Sequence, residues 1–553
     1  MARRTIVVIG GGLGGPAAAA RAREIDEEAR IVLVERSQHV GYATSGPAYF
    51  LSGEAVNEAA LDRRDPGFFW DFYRIEAKMG VSATRIEADK RRVVLSDGPL
   101  EYTSLVYAAG AESQLPPVPG LGGASNLFLF RTPADLENIR IALGALGAGR
   151  RKVVVLGGSA VGVEAADAFV RGEHAVTLVE SSLRLLPEFS DGVGKTAKRA
   201  LEAAGLTVSV GDAVAGVRLA ETRVAAVVLR SGREIAADLV VAAGSVLPRT
   251  DLLRQAGAEL HEDGSVSVDE ACATSLPAVY ACGLCVALPH AITGWPVWLP
   301  QAALADKTAQ VAGASAAGGR AAMGPILGSV IVRAGDLTLA RTGLDDSEAV
   351  EFAGADEVAR VSVHGSSCDR FLSASSPLRV DLLFHRGNGK VLGAEVVGRE
   401  GVDKRIDVLA VAILGGLTVE QLGLLDLAYA PPFSTPRDVV NMAGNLAAAT
   451  REGLAQAWTG AQIETAGTSL TLVDVEPERD AEGAVPGAVA VPLRELRDSL
   501  PRLPHGRPLV FLSHTGAAGY LAARLARQRG FKDAGYLSGG LLSWPGVRKP
   551  PVP

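Results

Sequence analysis

Thr5-Ile6-Val7-Val8-Ile9-Gly10-Gly11-Gly12-Leu13-Gly14-Gly15 decides how the first part of this chain is read. The five apolar, β-branched residues suit a parallel strand buried on both faces. The strand runs directly into glycines, and the alanine-rich stretch Pro16–Arg23 that follows has helical composition. Gly10, Gly12 and Gly15 fit G-x-G-x-x-G in the strand–turn–helix context that gives this spacing its meaning. The first glycine makes the tight turn, the second lets backbone approach a pyrophosphate, and the third lets helix and strand pack closely. Gly14 lies inside the same loop, and the helix N-terminus offers free N–H groups to phosphates. A second strand, Ile31–Val34, ends in Glu35-Arg36, with the carboxylate placed to accept from ribose hydroxyls. The segment reads as a dinucleotide site.

The pattern returns. Lys152-Val153-Val154-Val155-Leu156 leads into Gly157-Gly158-Ser159-Ala160-Val161-Gly162-Val163-Glu164, and the strand Ala175–Val179 ends in Glu180. Ser159 takes the place of the middle glycine, which crowds the backbone approach. Glu180 suits the free 2′-hydroxyl of NADH and opposes the 2′-phosphate of NADPH, although Arg184 lies near in sequence. Two such units in one chain make sense as a hydride relay, with a nicotinamide delivering and a flavin storing, so FAD and NADH are the expected cofactors.

The rest of the composition excludes more than it assigns. At 553 residues the chain exceeds a single core, and a hydrophobic content of 48% with 21% charged residues is ordinary for a soluble globular protein. A net charge of −7 argues against a nucleic-acid partner. No stretch approaches the ~18 apolar residues of a membrane helix, and Arg3-Arg4 followed by Thr5–Ile9 is too short for a secretory leader, so the expectation is cytoplasmic. Four cysteines give no disulfide framework, and eight scattered histidines without H-E-x-x-H give no metal site.

The order of motifs resembles the pyridine nucleotide–disulfide oxidoreductases. Tyr102–Ala111, containing Ala109-Gly110, resembles the segment leaving the FAD domain, and Asp238–Gly244 its counterpart leaving the NAD domain. Thr274–Gly283 resembles the second FAD motif, which places Cys282, Gly283 and Leu284 at the cofactor. Glu400–Asp407 and Leu427–Ser434 are similar to the branch of CoA-disulfide reductases, NADH oxidases and persulfide reductases. Leu472–Val475, Val485–Ala488, Leu537–Gly540 and Trp544 resemble a rhodanese domain.

The resemblance implies an α/β chain with two doubly wound, Rossmann-like domains, the second inserted into the first. An FAD-binding domain would occupy residues 1–115 and 246–322, an NAD(P)-binding domain 116–245, and an α+β dimerisation domain 323–450. A linker at 451–466 would lead to an α/β rhodanese-like domain at 467–553. It also implies a homodimer acting on a small molecule, with Tyr429 directed across the dimer, and a CoA-like ligand held by Arg21, Arg23, Thr44 and Arg64.

Departures from the family pattern bear on chemistry. The family's redox cysteine falls in the segment that Gly41–Tyr49 resembles, where this chain has Ser45. The sulfur-carrying position of the rhodanese loop is Ser513, and the loop's usual arginine is Ala518. A serine hydroxyl is neither redox-active nor nucleophilic without an adjacent base. Leu284 stands where the family has an aspartate on the flavin's ribitol, and Ala160 replaces an aromatic gate. Cys282 and Cys285 form C-x-x-C but read as packing residues.

The leading expectation is an FAD-dependent NADH oxidoreductase that passes electrons from flavin directly to dioxygen, a quinone-like molecule or a CoA-linked substrate. Ser45, Tyr49 and Tyr429 are the candidates for substrate positioning or proton donation. Two alternatives stand beside it: disulfide or persulfide reduction by a non-standard route, and a redox-silent nucleotide-binding scaffold with a docking tail.

Overall fold

The computed structural model describes residues 3–42, 44–55, 66–477 and 485–544. They form two compact units, residues 1–187 with 197–326 and residues 188–196 with 327–553.

In the first unit the opening strand, Thr5–Ile9, is central in a five-stranded sheet ordered Val279–Ala281, Ser104–Tyr107, Thr5–Ile9, Arg30–Glu35, Ile75–Met79. Every pairing in it is parallel. Ile6, Val7 and Val8 are fully buried, as a strand covered on both faces requires. The helix after the glycines spans Gly14–Ile25, two residues longer at each end than the alanine run, and lies against Ala302–Ala316. Small residues set that approach: a Cβ on Gly313 would stand 2.2 Å from the Ala18 carbonyl oxygen.

The second parallel sheet, ordered Thr207–Val210, Ala175–Glu180, Lys152–Leu156, Leu239–Ala242, Leu127–Leu129, lies wholly between two strands of the first. The chain leaves through Ala111–Ser113 and returns through Val246–Pro248, and these two segments pair antiparallel. The nucleotide domains are therefore nested.

In the second unit an antiparallel sheet is ordered Val330–Ala334, Leu337–Gly343, Val391–Gly398, Pro377–His385, Val358–Ser366. The two stretches similar to the CoA-disulfide reductase branch meet here. Arg405, on the helix Val402–Leu414, donates to Asp438 Oδ2 at 2.8 Å and to the Phe433 carbonyl at 3.3 Å. Ser434 Oγ donates to the same Asp438 oxygen at 2.6 Å. Burial works to raise the Asp438 pKa, but Ser434, the Val440 N–H and Arg405 together hold it below the usual carboxylate range.

The tail carries a parallel sheet ordered Gln456–Trp458, Gly535–Leu537, Leu509–Leu512, Thr471–Asp474, Val489–Ala490. This corrects the expected linker at 451–466. Gln456–Trp458 pairs in register with Gly535–Leu537, and Gly460–Ala466 is a helix behind a Thr459–Gln462 capping box. Backbone groups satisfied by a sheet ladder belong to a domain, so the tail begins about ten residues earlier than composition suggested. Among the described residues no helix is long and apolar enough to cross a membrane.

Candidate nucleotide sites and the tail loop

The first glycine loop shows a division of labour that a Cβ test makes explicit. Gly10 has φ +112°, and a Cβ there would lie 2.3 Å from the Ala108 carbonyl oxygen. A Cβ on Gly15 would lie 1.7 Å from the Gly10 oxygen. Both glycines are required by neighbouring backbone. A Cβ on Gly12 would meet only Tyr42 Oη at 3.9 Å, so its space is left open toward a cavity. Gly14 makes ordinary contacts, 3.6 Å from the Ala305 oxygen.

The cavity measures about 570 Å3, within the range of small-molecule sites. It gathers Gly10, Gly12, Gly14, Glu35, Arg36, Thr44, Ala109, Gly110, Gly283 and Leu284, drawn from five separated parts of the sequence. Glu35 is fixed at its strand end by N–H groups: Gly11 donates to Oε2 at 2.5 Å and Ser37 to Oε1 at 2.7 Å. Gly283 holds φ +83°, and its N–H donates to Thr308 Oγ1 at 3.0 Å. The Leu284 carbonyl accepts from Trp298 Nε1 at 2.8 Å.

Tyr42, Arg131 and Arg249 are among the lining residues that sequence reasoning missed. Burial, with Glu35 adding to it, raises the Tyr42 pKa, and burial lowers that of Arg131, with Arg249 nearby pulling the same way. The signal for Arg131 was present in Thr132-Pro133-Ala134-Asp135, a capping box that starts the helix Pro133–Ala145. That helix brings Thr132, Pro133 and Ala134 to the cavity wall. An open glycine, a strand-end carboxylate and the guanidiniums of Arg36, Arg131 and Arg249 fit a dinucleotide with a pyrophosphate, and FAD meets that description.

The second loop repeats the construction. Gly157 has φ +111°, and a Cβ on Gly162 would lie 1.9 Å from the Gly157 oxygen. Gly244 backs the same turn, 2.6 Å from where a Gly157 Cβ would stand. Gly158 N–H donates to Glu180 Oε2 at 2.6 Å and Ser182 N–H to Oε1 at 2.7 Å. Burial opposes ionisation of Glu180, but these N–H groups and the Ser181 and Ser182 hydroxyls outweigh it and lower its pKa. Ser159 Oγ turns toward the Ala243 carbonyl at 3.4 Å, and Arg184 is occupied by the Pro187 carbonyl at 3.0 Å. Glu164 lies half-buried on the helix Ala160–Arg171.

The remaining candidates are scattered. Ser45 is exposed at the start of the short helix Gly46–Leu51, and Tyr49 on that helix is 39% exposed. Tyr429 belongs to the second unit, where its hydroxyl donates to Asp369 Oδ2 at 2.7 Å. Arg21 pairs with Glu24 at 2.7 Å. Arg23 is buried, and its guanidinium donates to the carbonyls of Tyr73, Asp26, Glu27, Ala29 and Arg74. Those bonds make Arg23 a tie within the fold instead of the ligand contact expected of it, because every nitrogen of its guanidinium donates to a carbonyl. Arg64 lies outside the described residues.

All four cysteines are buried and unbridged. Burial pushes the Cys272 and Cys285 thiols up to about 12 and raises the Cys282 thiol as well. Cys282 points toward Gly14, 3.7 Å from where its Cβ would stand, and Cys285 Sγ donates to the Cys282 carbonyl at 3.2 Å. In the tail, Ser513 is fully buried, and its Oγ accepts from the N–H groups of Gly516 and Gly519 at 3.1 and 3.0 Å. The flap beside that loop is held to the antiparallel sheet: Ser362 N–H donates to Ser538 Oγ at 2.8 Å, and His364 Nε2 lies 3.0 Å from Ser543 Oγ.

Family models match along the chain: pyridine nucleotide-disulphide oxidoreductase at residues 4–318, the dimerisation domain of that family at 330–439, and a rhodanese-like domain at 455–546. The crystal structure of reduced Bacillus anthracis CoADR-RHD superposes with a TM-score of 0.94 at 28% identity, covering 99% of this chain and 98% of its own. A CoA-dependent NAD(P)H sulfur oxidoreductase of Pyrococcus abyssi is 28% identical across 78% of this chain and 95% of its own. An NADH oxidase of Methanocaldococcus jannaschii is 27% identical across 79% and 97%. Family members use FAD and NAD(P)H. This chain belongs to the pyridine nucleotide-disulphide oxidoreductases, as an FAD-dependent pyridine nucleotide oxidoreductase related to the CoA-disulfide and persulfide reductases and the NADH oxidases.

Proposed function

We propose that this chain passes electrons from NADH through FAD to a small acceptor without a thiol relay. FAD, when bound, supplies a two-electron store between a hydride donor and the acceptor. The observation that carries the reading is the state of sulfur. Each cysteine is buried, burial holds the thiols of Cys272, Cys282 and Cys285 protonated, and position 45 is serine. Thiolate is the species that attacks a disulfide, and burial removes it here. Ser45, which follows the cavity-lining Thr44 in the chain, and Tyr49 on the same short helix stand exposed and would orient the acceptor. Tyr429 keeps its proton at neutral pH, the more so because its hydrogen bond to Asp369 raises its pKa, and it would serve as a proton donor. Electron-poor acceptors fit such a site: dioxygen, a quinone-like molecule or a CoA-linked substrate.

We also infer a homodimer. The chain carries the family's dimerisation domain, and a strongly apolar patch lies on it: Phe371 is 76% exposed and Phe433 is 69% exposed. Their loops are joined by the Asp369 N–H donating to the Pro431 carbonyl at 3.0 Å. Exposed aromatics concentrated in this way mark an interaction surface.

An anaerobic titration with NADH tests the electron path. Full bleaching at one NADH per FAD is expected, because no second redox centre takes electrons. An end point of two would reveal a working thiol centre and overturn the reading. Protein that takes up no FAD would leave the scaffold alternative in its place. Ser45→Cys should then add disulfide reductase activity that the native chain lacks.

A further inference from the structure

A second large cavity, about 540 Å3, opens inside the second unit between the antiparallel sheet and the tail. Arg360, Asp346, Arg386 and Arg527 line it, with Thr450 and Gln456 among its other polar residues. Neither nucleotide loop contributes to it.

The charges of Arg360 and Asp346 are already matched. Arg360 pairs with Asp346, with Glu395 at 3.0 Å and with Asp381 at 3.2 Å, and Arg379 reaches the same Asp381 oxygen at 3.0 Å. Arg386 and Arg527 are different. The Arg386 Nε–H donates to the Val358 carbonyl at 3.1 Å, and one Arg527 N–H donates to the Ala534 carbonyl at 3.3 Å. Neither has a carboxylate partner among the described residues. A guanidinium carries five N–H donors in a rigid fork. Four on each arginine therefore remain without a carboxylate, and Asp346, the one acid among the described lining residues, is engaged by Arg360.

We propose that this cavity binds a small oxyanion, a phosphate- or carboxylate-bearing metabolite, bridged between Arg386 of the antiparallel sheet and Arg527 of the tail. The planar fork of arginine matches both anion types in bidentate fashion, and the volume suits a small metabolite. Arg527 lies on the helix Ala517–Gln528, near its C-terminal end, whereas the Ser513 loop precedes that helix. Arg527 therefore stands at the opposite end of that helix from the position at which a rhodanese carries sulfur. A ligand held from both sides favours the docked tail by mass action, which gives the tail a use that needs no sulfur carrier.

The test uses full-length protein loaded with FAD and saturated with NAD+, so that the nucleotide sites are filled. Inorganic pyrophosphate and citrate are titrated separately by calorimetry at fixed ionic strength. Binding of at least one anion at one equivalent per chain is expected, weakened about tenfold or more in each of Arg386→Gln and Arg527→Gln. The preferred anion separates phosphate from carboxylate chemistry. Unchanged flavin absorbance and melting temperature in the variants exclude a folding defect. Should a variant melt early, Arg386→Lys and Arg527→Lys keep the charge and remove the fork, and the same weakening is expected. Absence of binding by either anion overturns the proposal, and so does binding that survives in the double Gln variant.

Discussion

Gly12→Ala and Gly15→Ala add the same methyl group three residues apart in one loop, and they should fail in different ways. At Gly15 the new Cβ would lie 1.7 Å from the Gly10 carbonyl oxygen, far inside the 3.0 Å that real Cβ contacts respect. Relief requires the helix Gly14–Ile25 to move away from the turn, at a cost on the order of 3 kcal/mol or more. At Gly12 the methyl enters open space, and Tyr42 Oη at 3.9 Å accommodates it. Gly12 has no left-handed φ, so alanine there should leave apo stability within about 1 kcal/mol. The methyl would instead occupy the approach to a pyrophosphate and remove one charge-assisted hydrogen bond, about 1.5–3 kcal/mol. That is a loss of roughly 10- to 150-fold in FAD affinity. Circular-dichroism melts of both apo proteins and FAD titration of Gly12→Ala provide the measurements. Should Gly12→Ala bind FAD as tightly as the native chain, or Gly15→Ala melt at the native temperature, the assignment of space in the loop is wrong.

Arg405→Ala leaves Asp438 charged and buried, and should cost about 3–5 kcal/mol in urea unfolding of the second unit. Burial holds the His364 pKa down to about 4, below its ordinary value near 6.5. Its neutral form therefore stabilises the fold above that ordinary value, and the contribution is lost as pH falls from about 6.5 toward 4. Stability of the second unit should drop over that window by about 2–3 kcal/mol, and His364→Gln should flatten the drop in a pH series of melts. Phe433→Asp places a charge in the exposed aromatic patch and should convert a dimer to monomer by light scattering, with FAD content unchanged.

The nucleotide loops were legible because their requirements are local. A strand buried on both faces must read as a continuous apolar run, and Gly10 and Gly15 meet backbone only a few residues away or across one strand pair. Arg131 and Tyr42 were not legible, since each reaches the cavity through a turn whose direction depends on long-range packing. Arg23 shows the opposite failure. Spacing placed it on a helix face, but only the approach of residues 26–29 and 73–74 reveals that carbonyls surround its guanidinium. Gln456–Trp458 is three residues long, too short to show an alternating pattern, and only its partner strand some eighty residues later identifies it.

The nesting of one sheet within another sets an order of events on the ribosome. Ser104–Tyr107 has its outer neighbour, Val279–Ala281, only after the inserted sheet has been synthesised. A nascent chain therefore carries an unpaired parallel edge for some 170 residues, while the inserted sheet, ending at Ala242, is already complete. Gly283, Leu284, Ala302 and Ala305 complete the first cavity, so that cavity cannot close before the inserted domain has emerged. Cofactor capture thus comes late in the birth of this protein, and the nicotinamide-type domain must fold without help from a flavin.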